Sequence, residues 1–137
     1  MKSLRFQPIV GQTEKIIEAI LQTEEVSTCT KEMFAIHLVC EEIIVNIVNY
    51  AYPDNDNGYL IVELLNDDTT LSITFRDGGV PFNPLEKNEP DISLPLEERE
   101  IGGLGIFLTQ QMMDVVSYDY LNNENVLTIN KCICHEK

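Results

Sequence analysis

Basic residues are scarce in this chain. Nine Lys and Arg residues stand against 23 Asp and Glu residues, which gives a formal net charge of −14 at pH 7. Because affinity for nucleic acids comes mainly from Lys and Arg side chains that neutralise phosphates, this imbalance disfavours direct nucleic-acid binding. An acidic protein that binds an anion must instead use backbone N–H groups, a helix N-terminus or a metal ion. The charge also favours a basic protein partner, although solubility alone explains it about equally well.

Cysteines are few, and their spacing excludes the common zinc and redox motifs. The four cysteines are Cys29, Cys40, Cys132 and Cys134. This usage favours buried thiols in a reducing compartment over a disulfide framework, with a metal site of Cys132, Cys134 and His135 as an alternative. No run approaches the length of a membrane-spanning helix, and the N-terminus has no stretch resembling a signal peptide. We therefore expect a cytoplasmic protein that makes no membrane contact.

The distribution of apolar residues and turn formers predicts one α+β domain over residues 1–137. Hydrophobic residues make up 44% of the chain, which is enough for a single core. Hairpin turns between successive strands predict a mostly antiparallel, mixed sheet, covered on one face by three helices as a two-layer α/β sandwich. We expect strands at 3–10, 59–65, 71–75, 115–121 and 126–133, helices at 13–25, 31–52 and 102–114, and a lid at about 83–101.

The apolar stretch 40–52 carries three polar side chains on one helical face. Glu42, Asn46 and Asn49 fall at i, i+4 and i+7, which places them one above another. Because burying an ionised carboxylate without partners costs roughly several kcal/mol, such a stripe must either reach solvent or line a cavity. No role is assigned to Asn49 beyond hydrogen bonding to Asn46 or water.

Five of the seven glycines lie in two clusters. Asp77 lies in the turn at the end of a predicted strand, beside Gly78 and Gly79, where its carboxylate is placed to accept a hydrogen bond from an amino group such as that of adenine. An ordinary turn with Asp as turn former is the alternative. The second cluster, 102–105, opens a helix whose free N–H groups suit a phosphate, although it has neither the dinucleotide fingerprint nor a Walker loop.

Together, these stretches resemble the Bergerat-fold (histidine kinase-like, GHKL) ATPases, and more closely the small bacterial anti-sigma-factor serine/threonine kinases. The matching segments are Glu42-x-x-x-Asn46, Asp77-x-Gly79-x-Pro81-Phe82, Gly102-Gly103-Leu104-Gly105-Ile106-Phe107-Leu108, 113–118 and 125–128. The resemblance covers essentially the whole chain. In two departures from the family, Tyr50 stands where members commonly have His, and Gly78 makes the adenine turn looser than usual.

The resemblance implies a role for each matching residue. Asn46 would bind the Mg²⁺ that bridges the ATP phosphates, and Glu42 would be the catalytic general base. Asp77 would accept from the adenine amino group, with Gly79 giving the ring room and Thr128 supporting the contact from the last strand. The phosphates would be cradled by Gly103, Leu104 and Gly105. Phosphoryl transfer asks the protein mainly for positioning and charge neutralisation, which such a set supplies.

The function that the resemblance implies is a Mg²⁺–ATP-dependent protein serine/threonine kinase. Its substrate would be an anti-anti-sigma antagonist protein, and it would otherwise sequester a sigma factor by partner switching. The resemblance also implies a possible homodimer. The alternative is a non-catalytic nucleotide-binding module that switches partners without transferring phosphate.

Overall fold

The computed structural model describes residues 1–8, 11–52, 58–83 and 109–133. Residues 109–112 are helical and lead into the fourth strand. The other elements, in chain order, are β1 (Lys2–Phe6), α1 (Thr13–Leu21), α2 (Glu24–Ser27), α3 (Met33–Tyr50), β2 (Leu60–Asn66), β3 (Thr70–Asp77), β4 (Val115–Leu121) and β5 (Glu124–Cys132).

The five strands form one sheet in the order β1-β2-β3-β5-β4. Each neighbouring pair in it is antiparallel. The predicted α+β fold, with a sheet packed against helices, is therefore confirmed, and the described sheet is antiparallel throughout. The strand β1 ends at Phe6, short of the predicted 3–10.

The predicted helix 13–25 is in fact two helices. The chain leaves helical geometry at Thr23, whose backbone is extended (φ −65°, ψ 151°). Its hydroxyl donates to the carbonyl of Ile20 at 2.7 Å, which gives that carbonyl near the end of α1 a partner. The short helix α2 follows at once, so the break lies inside the segment that hydrophobic periodicity alone treats as continuous.

The core lies between the helices and one face of the sheet. Side chains of β3 alternate, so Leu71, Ile73, Phe75 and Asp77 are buried on the helix side. On the strand β5, the same face carries Asn125, Leu127 and Ile129, because each is paired across the sheet with one of the β3 residues. At one end of the two series the residues are polar, Asp77 on β3 and Asn125 on β5, and these two are paired across the sheet.

Hairpin turns fix this register. Between β4 and β5, Asn122 and Asn123 both have positive φ (54° and 64°), as a two-residue turn of the primed type requires. The strand β5 therefore starts at Glu124, two residues before its predicted start. Between β2 and β3, the carboxylate of Asp67 accepts from the backbone N–H groups of Thr69 and Thr70.

The long helix α3 crosses the helix layer. By length and composition it is apolar enough to cross a membrane, with a mean hydropathy of 1.4 over 18 residues, so the expectation that no run approaches this length is wrong for α3. In the structure it is a core helix. Its buried residues are Ile36, Val39, Cys40, Ile43, Ile44, Asn46 and Ile47.

Candidate functional site

The polar stripe of α3 divides between the core and the surface. Asn46 is buried, Glu42 is partly buried, and Asn49 is exposed. The side-chain amide of Asn46 donates through Nδ2 to Oε1 of Glu42 at 3.5 Å. Because the N–H side of the amide faces Glu42, its carbonyl oxygen Oδ1 is directed away from that carboxylate. The structure thus brings the first two stripe residues together and leaves Asn49 outside.

Asp77, the last residue of β3, is a buried carboxylate with only 3% of its surface exposed. Its Oδ1 accepts two hydrogen bonds, from the backbone N–H of Gly79 and from Nδ2 of Asn125, each at 3.0 Å. Among the described residues, no donor bonds its other oxygen, Oδ2. Burial raises the pKa of this carboxyl above its usual value, while Asn125 and Gly79 oppose the rise and Glu124 adds to it.

Asn125 is the site residue that the sequence analysis missed. Besides Asp77, its Nδ2 donates to the carbonyl of Val80 at 2.8 Å, and its Oδ1 accepts from the backbone N–H of Phe82 at 3.0 Å. The hydroxyl of Tyr118 also donates to Oδ1. Both N–H donors and both acceptor positions of the amide are therefore in use, in a side chain that is 5% exposed.

Thr128 does not have the role expected of it. Successive residues of a strand face opposite sides of a sheet. Leu127 and Ile129 face the helices, so Thr128 lies on the face away from them. Its hydroxyl is 3.2 Å from that of its cross-strand partner Thr74. The expected support of Asp77 by Thr128 is thus corrected to support by Asn125, three residues earlier.

The glycine turn after Asp77 is attached to the end of α3. A Cβ on Gly79 would lie 2.2 Å from the carbonyl oxygen of Ala51, and the N–H of Val80 donates to that same oxygen at 2.8 Å. A Cβ on Gly78 would lie 2.8 Å from the ring of Tyr59. Gly79 therefore serves close packing of the turn on α3, and Gly78 lies close to the ring of Tyr59.

Tyr52 strengthens this attachment. Its hydroxyl accepts from the backbone N–H groups of Gly78 at 2.8 Å and Tyr59 at 3.1 Å, and it donates to the carbonyl of Tyr59 at 2.8 Å. Burial raises the pKa of this hydroxyl, partly offset by the two backbone donors. One phenol thus links the segment after α3 to the start of β2 and the end of β3.

A cavity of about 30 Å³ lies between α3 and the sheet. It is lined mostly by apolar side chains, with Asn46, Asp77 and Asn125 as its polar members. Phe82 forms part of the wall, and its ring stacks on that of Tyr50 with centroids 5.5 Å apart. Since this volume is far below the roughly 300 Å³ or more of a typical ligand pocket, a planar base needs Phe82 or a neighbouring wall to move.

Positive charge at this end of the sheet is directed away from the cavity. Arg76 precedes Asp77 and therefore lies on the opposite face. There its guanidinium pairs with Glu63 at 3.2 Å and with Glu124 at 3.4 Å. The guanidinium of Arg76 is thus paired with carboxylates on the face of the sheet opposite the cavity.

Several sequence expectations lie outside the described residues. They include the phosphate cradle of Gly103, Leu104 and Gly105, nearly all of the lid at 83–101, and two members of the alternative metal site, Cys134 and His135. Within the ranges that the structure describes, no group of three or more His, Cys, Asp or Glu side chains is arranged to bind a metal ion.

Fold and site define the class of protein. The profile of the histidine kinase-like ATPase domain matches residues 9–131, and the chain belongs to this family, whose Bergerat fold is consistent with the sheet and helices described above. An ATPase domain of this kind implies ATP binding.

Among curated relatives, the chain is similar to proteins of two descriptions. It is 24% identical to the anti-sigma F factor of Geobacillus stearothermophilus over 109 residues, 79% of this chain and 75% of that protein. It is 33% identical to the serine-protein kinase RsbW of Listeria monocytogenes over 106 residues, 73% of this chain and 65% of that protein. It is 25% identical to the serine/threonine-protein kinase BtrW of Bordetella bronchiseptica over 96 residues, 70% of this chain and 68% of that protein.

Proposed function

We propose that this protein is a Mg²⁺–ATP-dependent serine/threonine kinase that phosphorylates an antagonist protein and sequesters a sigma factor by partner switching. The observation that carries the proposal is the cavity between α3 and the sheet. It has a buried carboxylate with one oxygen available, Asp77, and it reaches the amide of Asn46, which is bonded to Glu42.

Asp77 is suited to recognise adenine. Its Oδ1 is occupied by two donors, so Oδ2 is the oxygen left for a ligand. Adenine offers an exocyclic amino group, a donor, on an otherwise flat ring that suits the apolar walls of this cavity. A hydrogen bond to a charged acceptor in such a buried place contributes about 1.5–3 kcal/mol.

Asn46 and Glu42 are suited to the phosphate end. The carbonyl oxygen of Asn46 is the kind of hard ligand that Mg²⁺ binds, and the ion, when bound with ATP, neutralises phosphate charge. Glu42 holds the amide in this orientation by accepting its N–H. We assign to Glu42 the further role of general base, which takes the proton of the attacking hydroxyl.

The relatives support the partners in this proposal. One is named an anti-sigma factor and two are named serine or serine/threonine kinases, so a sigma factor and an antagonist protein are the proposed partners. Both are consistent with the net charge of −14, which favours a basic protein partner and disfavours direct nucleic-acid binding. We further propose that residues 1–137 form one domain, that the protein is cytoplasmic, and that it can form a homodimer.

The second candidate is a nucleotide-binding switch that does not transfer phosphate. It is favoured because the guanidinium of Arg76 pairs with Glu63 and Glu124 on the face of the sheet opposite the cavity. The carboxylate of Glu42 favours the kinase, because holding the amide of Asn46 needs only an acceptor, whereas taking up the proton of a hydroxyl needs a base.

Calorimetry with Mg²⁺–ATP tests the binding proposal. Asp77→Asn replaces the acceptor Oδ2 by an amide donor that faces the donor of adenine, so we expect affinity to fall about 10- to 100-fold. Unchanged affinity in this variant would refute the assignment of Asp77.

Transfer of radiolabelled phosphate to a candidate antagonist tests catalysis. Glu42→Gln, which keeps an oxygen able to accept from Asn46, should bind Mg²⁺–ATP but transfer at least about 100-fold more slowly, as expected when a general base is removed. Glu41→Gln is the matched control. The carboxylate of Glu41 is exposed, and its Oε2 lies 3.9 Å from Nε2 of His37. Equal transfer by the Glu42 and Glu41 variants would remove the role of Glu42 as base.

A further inference from the structure

We propose that Asn125 is the positioning residue that sets the preference of the nucleotide site for adenine over guanine. This inference rests on the proposed function and concerns the same cavity. It gives Asn125 no contact with the nucleotide. The residue acts through the carboxylate of Asp77.

The geometry of the amide shows how Asn125 acts. The Nδ2 donor of Asn125 and the N–H of Gly79 both bond Oδ1 of Asp77, one from β5 and one from the turn that follows β3. Two donors from different directions fix the plane of the carboxylate as well as its position. Oδ2 is thereby held in one orientation, as an acceptor.

The remaining bonds of Asn125 hold the residue itself. Val80, Phe82 and Tyr118 use its second N–H and both acceptor positions of its carbonyl. An amide with all four positions occupied cannot rotate or exchange its O and N ends without losing several buried hydrogen bonds. Asn125 is therefore a rigid support for Asp77, and it also fixes the first residues after β3.

A fixed acceptor discriminates between the two purines. Adenine presents an amino group, a donor, where guanine presents a carbonyl oxygen, an acceptor. A carboxylate oxygen held toward that position binds the first and repels the second. If the carboxyl group is free to rotate or to take up a proton on Oδ2, this discrimination is weakened.

The test compares the affinities of the full chain for ADP and GDP in the presence of Mg²⁺, measured by calorimetry. We expect wild type to prefer ADP, and Asn125→Ala to reduce the ADP:GDP affinity ratio about tenfold, the effect of one buried hydrogen bond of about 1.4 kcal/mol. Asn125→Ser, which keeps a small polar side chain, should reduce the ratio by less.

The matched control is Asn130→Ala. Asn130 lies on the same strand but on the opposite face, where its Oδ1 accepts from the hydroxyl of Ser72 at 2.5 Å. This substitution also removes a cross-strand hydrogen bond, yet it should leave the ratio unchanged. A general loss of stability would affect both variants, whereas loss of positioning affects only Asn125.

The outcomes separate this inference from the proposed function. If wild type binds neither nucleotide, the proposed function fails. If wild type prefers ADP and a folded Asn125 variant keeps the full preference, only the inference fails. Wild-type NMR gives an independent check, because both side-chain amide protons of Asn125 should exchange slowly with solvent, and rapid exchange would overturn the proposal.

Discussion

The hydroxyl of Tyr52 should contribute more to the stability of this fold than the position of Tyr52 just beyond a helix end suggests. Tyr52→Phe removes one atom that accepts from Gly78 and Tyr59 and donates to Tyr59. Each hydrogen bond contributes about 0.5–1.5 kcal/mol net, so three together set an upper range of about 1.5–4.5 kcal/mol. Because Gly78 is exposed and water can replace that partner, we expect a loss of about 1–3 kcal/mol.

Thermal unfolding followed by circular dichroism measures this loss. For a chain of this length, each kcal/mol lowers Tm by about 3–5 °C, so Tyr52→Phe should lower Tm by about 3–15 °C. Tyr50→Phe is the matched control. The ring of Tyr50 stacks on Phe82, and no described residue hydrogen-bonds its hydroxyl, so removal should change stability by less than about 0.5 kcal/mol.

The refuting result is a Tm for Tyr52→Phe equal to that of Tyr50→Phe. The phenol of Tyr52 would then not hold the segment after α3 to the strand ends in solution. If the link does hold, Tyr52→Phe should also weaken Mg²⁺–ATP binding, since the turn that it bonds at Gly78 directly follows Asp77.

Two further substitutions test the same region. Gly79→Ala places a Cβ 2.2 Å from the carbonyl oxygen of Ala51, a backbone atom that cannot move easily. We therefore expect the free energy of unfolding, measured in urea, to fall by about 1–3 kcal/mol. Val80→Ala is the control, because Val80 is 45% exposed, and equal losses in the two variants would contradict the packing argument. Asp77→Asn tests how the protonation of this carboxyl contributes to the stability of the fold. Because the folded-state pKa of Asp77 is raised above 3.8, the folded protein binds its proton more readily than the unfolded chain, and this contribution to stability is lost as pH rises through the folded pKa. The variant should therefore gain stability relative to wild type as pH rises from below 3.8 to neutrality, and a difference that stays constant with pH would show that burial does not shift this carboxyl.

Local pattern was sufficient to predict much of the fold. The alternation of β3 and the turn formers on either side of it placed Asp77 at a strand end, where the structure has it. The predicted bounds of β4 match the structure, and α3 differs by two residues at each end. These elements follow from periods of 2.0 and 3.6 residues, which depend on near neighbours in the chain.

The choice between Thr128 and Asn125 also had a signal in the sequence. Leu127 and Ile129 are the apolar residues of the alternating pattern in β5 and therefore face the core. Asn125 is two residues before Leu127 and faces the core as well, whereas Thr128 directly follows Leu127 and faces the other side of the sheet. Asn125 was given no role because the predicted strands, 115–121 and 126–133, left it in the turn between them. The two-residue turn at 122–123 became visible only with its positive φ angles.

Tyr52 had no comparable signal, because Tyr59 lies seven residues further on, beyond the helix end, and Gly78 is distant in the chain. Its bond to Gly78 spans 26 residues, and the bond between Asn125 and Asp77 spans 48. Contacts of this kind depend on the assembled sheet and on the way α3 ends against it, neither of which has a local period. Sequence patterns therefore located the residues of the site more readily than the bonds that hold them.

The base end of the site is consequently a product of the whole fold. Asp77 is supported by β5 through Asn125, and the turn after it is attached to the end of α3 through Ala51 and Tyr52. The first support needs β3 and β5 to pair, and the second needs the sheet to meet the end of α3, so both join segments that are remote in sequence. Because an acceptor held in this way loses little conformational entropy when a ligand binds, the proposed preference for adenine over guanine rests on this preorganisation.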